Sequence, residues 1–385
     1  MGEGFGRVGA LSAWALAAAG LVAALAGCSE VPGTMKIGVA FPLSGPERAL
    51  GQDLLNGVFM AVNELNHAGF IVEGKRVTLE VIPVDDHADP AGAEAAAQQL
   101  VDAGVTGVIG HLNSGVSIAA APVYGSHHIP QLSISTHPRF TQLGHEGFRL
   151  VANDTLQSRA MGSFAAAQLS ASGYAVLDNG TVYGMDLADG AASELESEGK
   201  HVKLRESFDA ETTDFERVAA QIKAAKITVV LTTLNDYQVI ALLDALKKVD
   251  HTQLTILGGD NLKTTAMAEQ SGKVDAIYAT SPVLEAREFV TGRQFIDKYV
   301  EQFKKLPAYG GHYTYDATYV LASAIKRAGS GKPQAVAQAL KSINGYAPVT
   351  GTMSWDTSGE QRYGAVGVYA LRGGVWEARM RSDRW

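Results

Sequence analysis

Apolar and polar residues alternate along the chain with two different periods, and each period predicts one kind of element. Residues 35–41 (MKIGVAF) form a short apolar run rich in strand-forming residues, and the run ends at Pro42. After the turn at 44–46, apolar residues recur three and four positions apart, which predicts an amphipathic helix. The apolar positions are Leu54, Leu55, Val58, Phe59, Val62 and Leu65. The beginning of the pattern therefore predicts a strand followed by a helix that packs one face against it.

The same alternation continues as far as residue 258. Further strands are predicted at 77–84, 105–110 and 130–135, with helices at 90–100 and 115–124 between them. After a polar break, helices are predicted at 155–170, 184–198, 212–224 and 236–249. They alternate with strands predicted at 173–178, 201–207, 227–232 and 254–258. Strands separated by helices of this length indicate parallel βαβ units. Because the series occurs twice, the sequence predicts an α/β fold of two doubly wound, Rossmann-like lobes.

The last hundred residues have a different pattern, which predicts how the lobes are joined. Three helices follow Pro282 without strands between them, at about 287–305, 312–328 and 333–343. Antiparallel strands are then predicted at 352–355, 363–370 and 375–380. No low-complexity linker separates the halves, so we expect the chain to cross between the lobes more than once, with a hinge and a cleft between them. We expect a first lobe of 35–153 plus 282–347 and a second lobe of 154–281 plus 348–385.

Composition and charge exclude several classes of protein. The chain has 385 residues, of which 46% are hydrophobic and 19% charged, and this is typical of a folded globular protein with two domains. Its net charge of −8 argues against a nucleic-acid-binding protein. One cysteine cannot form an internal disulfide or a structural zinc site. Phosphate-binding, dinucleotide-binding and nucleophile-elbow motifs are absent from the sequence, so we predict no cofactor, no catalytic residue and no enzyme.

The first 27 residues predict an export signal. Residues 8–25 carry no charge, and Leu25-Ala26-Gly27 stands directly before Cys28. The Leu-Ala-Gly-Cys sequence resembles the lipobox of bacterial lipoproteins, which implies cleavage before Cys28 and lipidation of its side chain and amine. Several acyl chains would anchor the protein stably to a membrane of the cell envelope. A permanent membrane helix is the alternative, but the apolar run is barely long enough for one.

One acidic cluster could suggest a metal site. Residues 85–89 read Asp-Asp-His-Ala-Asp. Acidic residues at the end of a strand, with Asp89 capping the next helix, are the simpler interpretation. We therefore predict no metal site.

Polar residues follow several predicted strands, and they suggest a binding site. Ser114, Ser135, Thr136, Tyr183 and Asp260 all come at or after the carboxyl ends of strands, where open α/β sheets bind ligands. Hydroxyl groups and helix N-terminal amides suit a carboxylate, whereas a carboxylate such as Asp260 suits an ammonium group. Helix capping would explain Ser114 and Thr136 one at a time. Together with an acid on the other lobe, these residues predict a clamp for a zwitterion.

The chain resembles, over nearly its whole predicted mature length, the type I periplasmic binding proteins, and most closely the leucine/isoleucine/valine-binding proteins of ABC transporters. The segments that carry this resemblance are IGVAFPLSGP (37–46), LNGVFMAVNELNHAGF (55–70), VDDHADP (84–90), VIGHLNS (108–114), SISTHP (133–138), VYGMD (182–186) and GGDN (258–261). The resemblance implies two lobes joined by three crossings, a monomer, and a periplasmic protein that delivers a small amino acid to a membrane permease.

The resemblance also implies roles for individual residues. Ser114, Ser135 and Thr136 would bind the ligand's α-carboxylate and part of its amine, and Asp260 would face the α-ammonium group. Tyr183 would close the site from the second lobe. The remaining expected contacts are with the ligand's side chain and come from Leu50, Leu112 and Asn235.

The sequence also departs from the family pattern. Ala88 and Asn113 stand where some members have a disulfide pair, and Asn235 belongs to a polar segment where an aromatic residue is common. Asp260 is one methylene shorter than the usual glutamate, so it would reach the ammonium group through water. The alternative function is a ligand-sensing domain for amides or other small metabolites without transport; a secreted hydrolase would need a nucleophile and base that the sequence lacks.

Overall fold

The computed structural model describes residue 1 and residues 31–384. The predicted signal sequence and Cys28 lie outside the described residues. The described chain contains two large sheets, one parallel and one mostly parallel. Helices cover both faces of each sheet.

The first sheet contains five parallel strands. Its region contains the strands β1 (Thr34–Phe41), β2 (Ile71–Val72), β3 (Lys75–Arg76), β4 (Thr78–Asp85), β5 (Gly107–Gly110), β6 (Gln131–Ser133) and β7 (Gly147–Arg149). The strand order is β4-β1-β5-β6-β7, and β2 and β3 form a separate hairpin. The helices are α1 (Arg48–Ala68), α2 (Ala93–Asp102), α3 (Ser114–Ser126) and α4 (Arg139–Gln142).

The second sheet contains seven strands. The elements up to its last parallel strand are α5 (Asp154–Gln168), β8 (Tyr174–Asp178), α6 (Val182–Ser197), β9 (Val202–Ser207), α7 (Glu216–Ala224), β10 (Val229–Thr232), α8 (Asp236–Lys248), β11 (Thr255–Gly258), α9 (Thr265–Ala268) and β12 (Ala276–Ser281). The rest of the chain forms α10 (Gly292–Phe303), α11 (Gly311–Ala328), α12 (Pro333–Lys341), β13 (Asn344–Ala347), β14 (Gly351–Ser354), β15 (Gly367–Arg372) and β16 (Val375–Arg381). The strand order is β16-β15-β12-β11-β10-β8-β9, with β15 and β16 antiparallel.

The chain crosses between the two sheets three times. It leaves the first sheet after β7, returns after β12 to helices that pack on the first lobe, and passes again to the second sheet between β14 and β15. The predicted α/β fold of two doubly wound lobes with a three-crossing hinge is therefore confirmed. The residue limits given above for the two lobes stay a prediction.

The C-terminal strands differ from the sequence prediction. The strand predicted at 352–355 pairs with β13, which the sequence did not predict, and its Met353 is fully buried in the core of the first lobe. Only β15 and β16 extend the second sheet. The sequence pattern could not show whether this strand pairs with β13 or joins the second sheet, because strand pairing depends on the surface that each strand covers.

Both faces of each sheet are buried. Along β1, Ile37, Val39 and Phe41 belong to one apolar cluster and Ala40 to another, since successive side chains of a strand point to opposite faces. The second sheet likewise has an apolar cluster on each face. Within the described part of the chain, no helix is both long and apolar enough to cross a membrane.

Candidate functional site

The predicted site residues lie at the carboxyl ends of strands of both sheets. Ser114 begins α3 after β5, and Ser135 and Thr136 follow β6. Tyr183 lies in the first turn of α6, which begins two residues earlier than predicted because the Thr181 hydroxyl accepts a hydrogen bond from the Gly184 amide and caps the helix. Asp260 follows β11. The ends of the two sheets meet at the cleft between the lobes.

Three side chains converge on the carboxylate of Asp260. The Tyr183 hydroxyl donates to Oδ1 at 2.8 Å, and the amide Nε2 of Gln157 donates to the same oxygen at 3.0 Å. The hydroxyl of Tyr309 donates to Oδ2 at 2.7 Å. Gly259 makes the first of these contacts possible, because a Cβ atom there would lie 2.3 Å from the Tyr183 hydroxyl. The structure therefore brings Tyr183 and Asp260 together, as the sequence predicted.

Both tyrosine hydroxyl groups donate to Asp260 in their neutral form. Burial raises the pKa of Tyr183 and of Tyr309 well above the ordinary value, and the negative charge of Asp260 raises both further. Both hydroxyl groups therefore remain protonated at physiological pH. A carboxylate can accept about four hydrogen bonds, so the three donors leave Asp260 one position for a ligand.

A buried acid on the first lobe positions Tyr309. The carboxylate of Asp53, in α1, accepts the backbone N–H groups of Ala308, Tyr309 and Gly311, each at 2.9 Å. Asp53 is 1% exposed. This fixes the loop before α11, and Tyr309 joins that loop to Asp260 on the second lobe.

The hydroxyl-bearing residues of the first lobe form a second group. Ser114, Ser135 and Thr136 are all buried. The Ser114 hydroxyl accepts a hydrogen bond from the His137 amide at 3.3 Å, so α3 contacts the segment after β6 directly. The Thr136 carbonyl accepts the Asp154 amide at 2.9 Å. The structure thus brings Ser114 and Thr136 together and places them beside α5.

Asp154 is a buried acid that the sequence analysis missed. It is 3% exposed, and within the described residues neither of its carboxylate oxygens has a partner in hydrogen-bond geometry. Burial raises its pKa to about 8; the nearby Thr136 hydroxyl offsets part of this, and the charge of Asp260 adds to it. Asp154 and Gln157 are three residues apart at the start of α5, so both face the cleft. That spacing of polar residues directly after β7 is the signal that could have identified them.

The three residues expected around the ligand's side chain lie in the first turn of α1, after β5 and directly before α8. Leu50 is half-buried in the first turn of α1, and Leu112 packs against the first lobe's core. Asn235 begins α8, and its Oδ1 accepts hydrogen bonds from the side-chain amides of Asn179 and Asn261, each at 3.3 Å. Asn235 is thus linked to the residue that follows Asp260. The ligand-binding roles of all these residues stay predictions.

Direct contacts join the two lobes across the cleft. His137 Nε2 lies 2.6 Å from Asp186 Oδ2 in α6. Within the first lobe, Glu47, at the start of α1, accepts a hydrogen bond from Asn113 at 2.9 Å. Burial raises the pKa of Glu47; the Asn113 bond offsets part of this, and Asp86 and Asp236 add to it. The lobes therefore meet through polar and charged groups.

The acidic segment 85–89 has structural partners. Asp86 Oδ2 lies 2.7 Å from Nδ1 of the buried His111. Asp85 accepts the backbone amide of Leu43 at 2.9 Å. Asp89 was expected to cap a helix, and that detail is wrong: α2 begins four residues later, and Asp89 accepts the Ala91 amide within a turn. Among the described residues, no group of three histidine, cysteine or acidic side chains is arranged to hold a metal ion.

A separate cavity of about 430 Å³ lies behind the hinge. Its lining includes Pro282, Val290, Tyr346 and Tyr363, and it contains none of the predicted site residues. The cavity is therefore distinct from the cleft.

Comparison with known proteins places this geometry among binding proteins. A family model described as "Periplasmic binding protein" matches residues 34–374. The Leu/Ile/Val-binding protein homolog 1 of Brucella abortus (strain 2308) is 28% identical over 341 residues, which cover 88% of this chain and 91% of that protein. The leucine-, isoleucine-, valine-, threonine- and alanine-binding protein of Pseudomonas aeruginosa is 28% identical over 358 residues, with 92% and 94% covered. The crystal structure of a leucine-binding protein, LivK, from Thermotoga maritima superposes with a TM-score of 0.80 at 25% identity, and the match covers 90% of this chain and 98% of that one.

Proposed function

The chain belongs to the periplasmic binding protein family, a family of binding proteins and not of enzymes, and from this premise we propose that it captures a small amino acid in the cleft and delivers it to an ABC permease. The names of its relatives support a branched-chain or related amino acid as the ligand. The observation that carries the proposal is the convergence of Tyr183, Tyr309 and Gln157 on the buried Asp260, across the cleft from Ser114 and Thr136.

The two groups suit the two charges of an amino acid. Hydroxyl groups of Ser114, Ser135 and Thr136, with the amides at the start of α3, bind the α-carboxylate, because both supply donors and the helix dipole favours negative charge. Asp260 accepts the α-ammonium group at its remaining position, directly or through a water molecule. Leu50, Leu112 and Asn235 surround the side chain.

Capture occurs by closure of the lobes. A ligand can drive closure only through contacts that it makes better in the closed state than in the open one. Asp260 and Tyr183 lie on the second lobe and Ser114 on the first, so a zwitterion that contacts both lobes favours closure. The permease then recognises the closed form.

We also propose that the protein is anchored to the cell envelope through a lipid on Cys28. The Leu-Ala-Gly-Cys sequence after an uncharged stretch supports this. A Cys28→Ala variant expressed in a bacterial host should move from the membrane fraction to the soluble periplasmic fraction. Retention of the variant in the membrane fraction would contradict the lipid anchor.

Calorimetry of two variants tests the ligand site. We expect Asp260→Asn and Ser114→Ala each to weaken amino-acid binding by about 10- to 100-fold, since each removes a hydrogen bond to a charged group. Asp275→Asn, at an exposed acid of the second lobe, is the matched control and should bind as the wild type does. Unchanged affinity in both site variants, with normal thermal unfolding, would remove the proposed clamp.

A further inference from the structure

Nine buried side-chain oxygen atoms of the described residues have no partner in hydrogen-bond geometry; four belong to Gln131, Glu146, Asp178 and Gln270, and the other five lie around the cleft. These five are both carboxylate oxygens of Asp154, Oε1 of Gln157, Oδ1 of Asn113 and Oδ1 of Asn261. Asp154 and Gln157 are 3% and 0% exposed. A buried polar atom without a partner costs free energy, so whatever fills this cleft is favoured if it supplies hydrogen-bond donors.

Unpartnered nitrogen atoms in the described part of the chain lie elsewhere. Gln131 begins β6 and His145 precedes β7. Both therefore lie at the amino ends of the strands, whereas the cleft lies at the carboxyl ends. The ring of His312 contacts those of Phe289 and of Phe295 in α10 at tilted and edge-on angles. The unpartnered atoms around the cleft are therefore oxygen atoms, and a ligand would satisfy them with hydrogen-bond donors.

The protein's own side-chain donors Arg149 and His137, near the cleft, are already engaged. The guanidinium group of Arg149 forms an ion pair with Glu360 at 2.9 Å and donates to the carbonyl groups of Ser135 and His137. His137 faces Asp186. The acceptors of the cleft therefore cannot be satisfied by these side chains without breaking contacts that hold the site together.

The acceptors form two sets. Asp154 and Gln157 lie with Asp260, where a zwitterion places its α-ammonium group. Glu47 and Asn113 form the other set, bonded to each other at 2.9 Å. Leu50 is three residues from Glu47 on α1, and Leu112 is next to Asn113, so this set lies where the ligand's side chain is expected.

Asn261 connects the second set with the opposite lobe. Its Nδ2 donates to the Thr233 carbonyl at 2.8 Å and to Asn235, which leaves Oδ1 without a partner. Asn235 in turn donates to the Tyr237 hydroxyl at 3.0 Å, and Tyr237 lies near enough to Glu47 for that charge to raise its pKa. Glu47, Asn113 and Asn261 therefore face the same end of the cleft from the two lobes.

We propose that the ligand carries a second N–H donor group, on its side chain, in addition to its α-ammonium group, and that Glu47, Asn113 and Asn261 receive this second group. The inference rests on the proposed capture of a small amino acid, and it selects amino acids with a nitrogen-bearing side chain over the branched-chain amino acids that the names of the relatives suggest. The ammonium group meets Asp154 and Asp260, while the side-chain nitrogen meets one carboxylate and two amide oxygens. Both a cationic nitrogen and a neutral amide provide this chemistry.

Matched ligand pairs test the inference by calorimetry on the purified protein. Lysine and norleucine share the carbon chain and differ in the terminal ammonium group, and glutamine replaces an aliphatic end with an amide. We expect lysine or glutamine to bind at least about 10-fold more tightly than norleucine and leucine, as hydrogen bonds to a charged group predict. Preference for lysine identifies a cationic ligand, and preference for glutamine a neutral one.

Two variants locate the second group. Glu47→Gln should remove most of the advantage of the nitrogen-bearing ligand over norleucine, because a neutral amide replaces the carboxylate that accepts the second N–H group. Glu80→Gln, at an exposed acid of β4, is the control and should retain the preference. Thermal unfolding of each variant shows whether it is folded.

Two other outcomes have separate meanings. Tighter binding of leucine or norleucine than of lysine and glutamine would overturn this inference and leave the proposed amino-acid binding intact. Binding of no amino acid, by a protein that unfolds cooperatively, would overturn the proposed function as well.

Discussion

Two acids share the cleft, and they differ in their partners. Asp260 accepts hydrogen bonds from Tyr183, Tyr309 and Gln157, whereas Asp154 has none in hydrogen-bond geometry among the described residues. Asp260 is therefore held in place by three donors before the ligand arrives. Asp154 is neutral at pH 7 because burial raises its pKa to about 8. An arriving ammonium group would favour its ionised form.

The raised pKa of Asp154 predicts a dependence of stability on pH. Its usual pKa is 3.8, so in the unfolded chain the group loses its proton far below the pH at which the folded protein does. Its contribution to stability is full below pH 3.8 and is lost as the pH rises to about 8, by up to roughly 1.4 kcal/mol per pH unit. The groups that face it are Thr136, Asp260, Arg149 and Asp186.

Asp154→Asn tests this prediction because the amide does not titrate. Urea unfolding between pH 6 and 9 should show the wild type losing more stability than the variant, and the variant should be the more stable protein at pH 8. Parallel pH profiles for the two proteins would contradict the assignment of the raised pKa to Asp154.

Some candidate site residues could be predicted from the sequence because they come shortly after predicted strands. Ser114, Thr136, Tyr183 and Asp260 each follow a strand closely, and the carboxyl ends of parallel strands meet at one edge. Tyr309 could not be found in that way, because it precedes a helix of the returning chain and depends on a carboxylate far away in sequence. Its contact with Asp260 can be recognised only in the folded structure.

At the scale of elements, one buried carboxylate fixes a loop of the site. Asp53 accepts three backbone N–H groups before α11 and the Tyr299 hydroxyl at 2.6 Å. The amphipathic pattern of α1 predicted its apolar face correctly, but it placed Asp53 among the polar positions. The reason is that periodicity separates polar from apolar residues and cannot show which polar residue has buried partners.

Removal of this carboxylate should affect both stability and binding. We expect Asp53→Ala to lower the free energy of unfolding by about 2–4 kcal/mol, because several buried donors lose their acceptor. It should also weaken ligand binding, since Tyr309 loses its support. Chemical denaturation and calorimetry measure the two effects, with Asp102→Ala, at the end of α2, as the control. A fully stable variant with normal affinity would show that the loop is fixed by other contacts.

At the scale of the whole molecule, the lobes are joined by three crossings and meet across the cleft. The α/β alternation predicted this architecture. The pairing of the strand predicted at 352–355 could not be predicted in this way, because it depends on which core the strand is buried in. The hydrogen bond between His137 Nε2 and Asp186 links the segment after β6 to α6. Asp186 is 61% exposed at its side chain, so the pair is solvated and its stabilisation is small.

Loss of this pair should shift the balance between open and closed forms slightly. We expect Asp186→Ala to weaken ligand binding by about fivefold or less, because a solvated contact between polar side chains contributes little, and to leave the fold unchanged. Small-angle scattering should show a larger radius of gyration for the variant at subsaturating ligand. Identical scattering curves and identical affinity would show that the pair has no part in closure.

The central claim is that one amino acid bridges the two lobes between Ser114 and Asp260. A crystal structure of the protein with its tightest-binding amino acid tests this most directly. The account predicts the ligand's carboxylate on Ser114 and Thr136, and its ammonium nitrogen within hydrogen-bond reach of Asp260, directly or through one water molecule. Density for the ligand in the cavity behind the hinge, with the cleft holding only solvent, would contradict it.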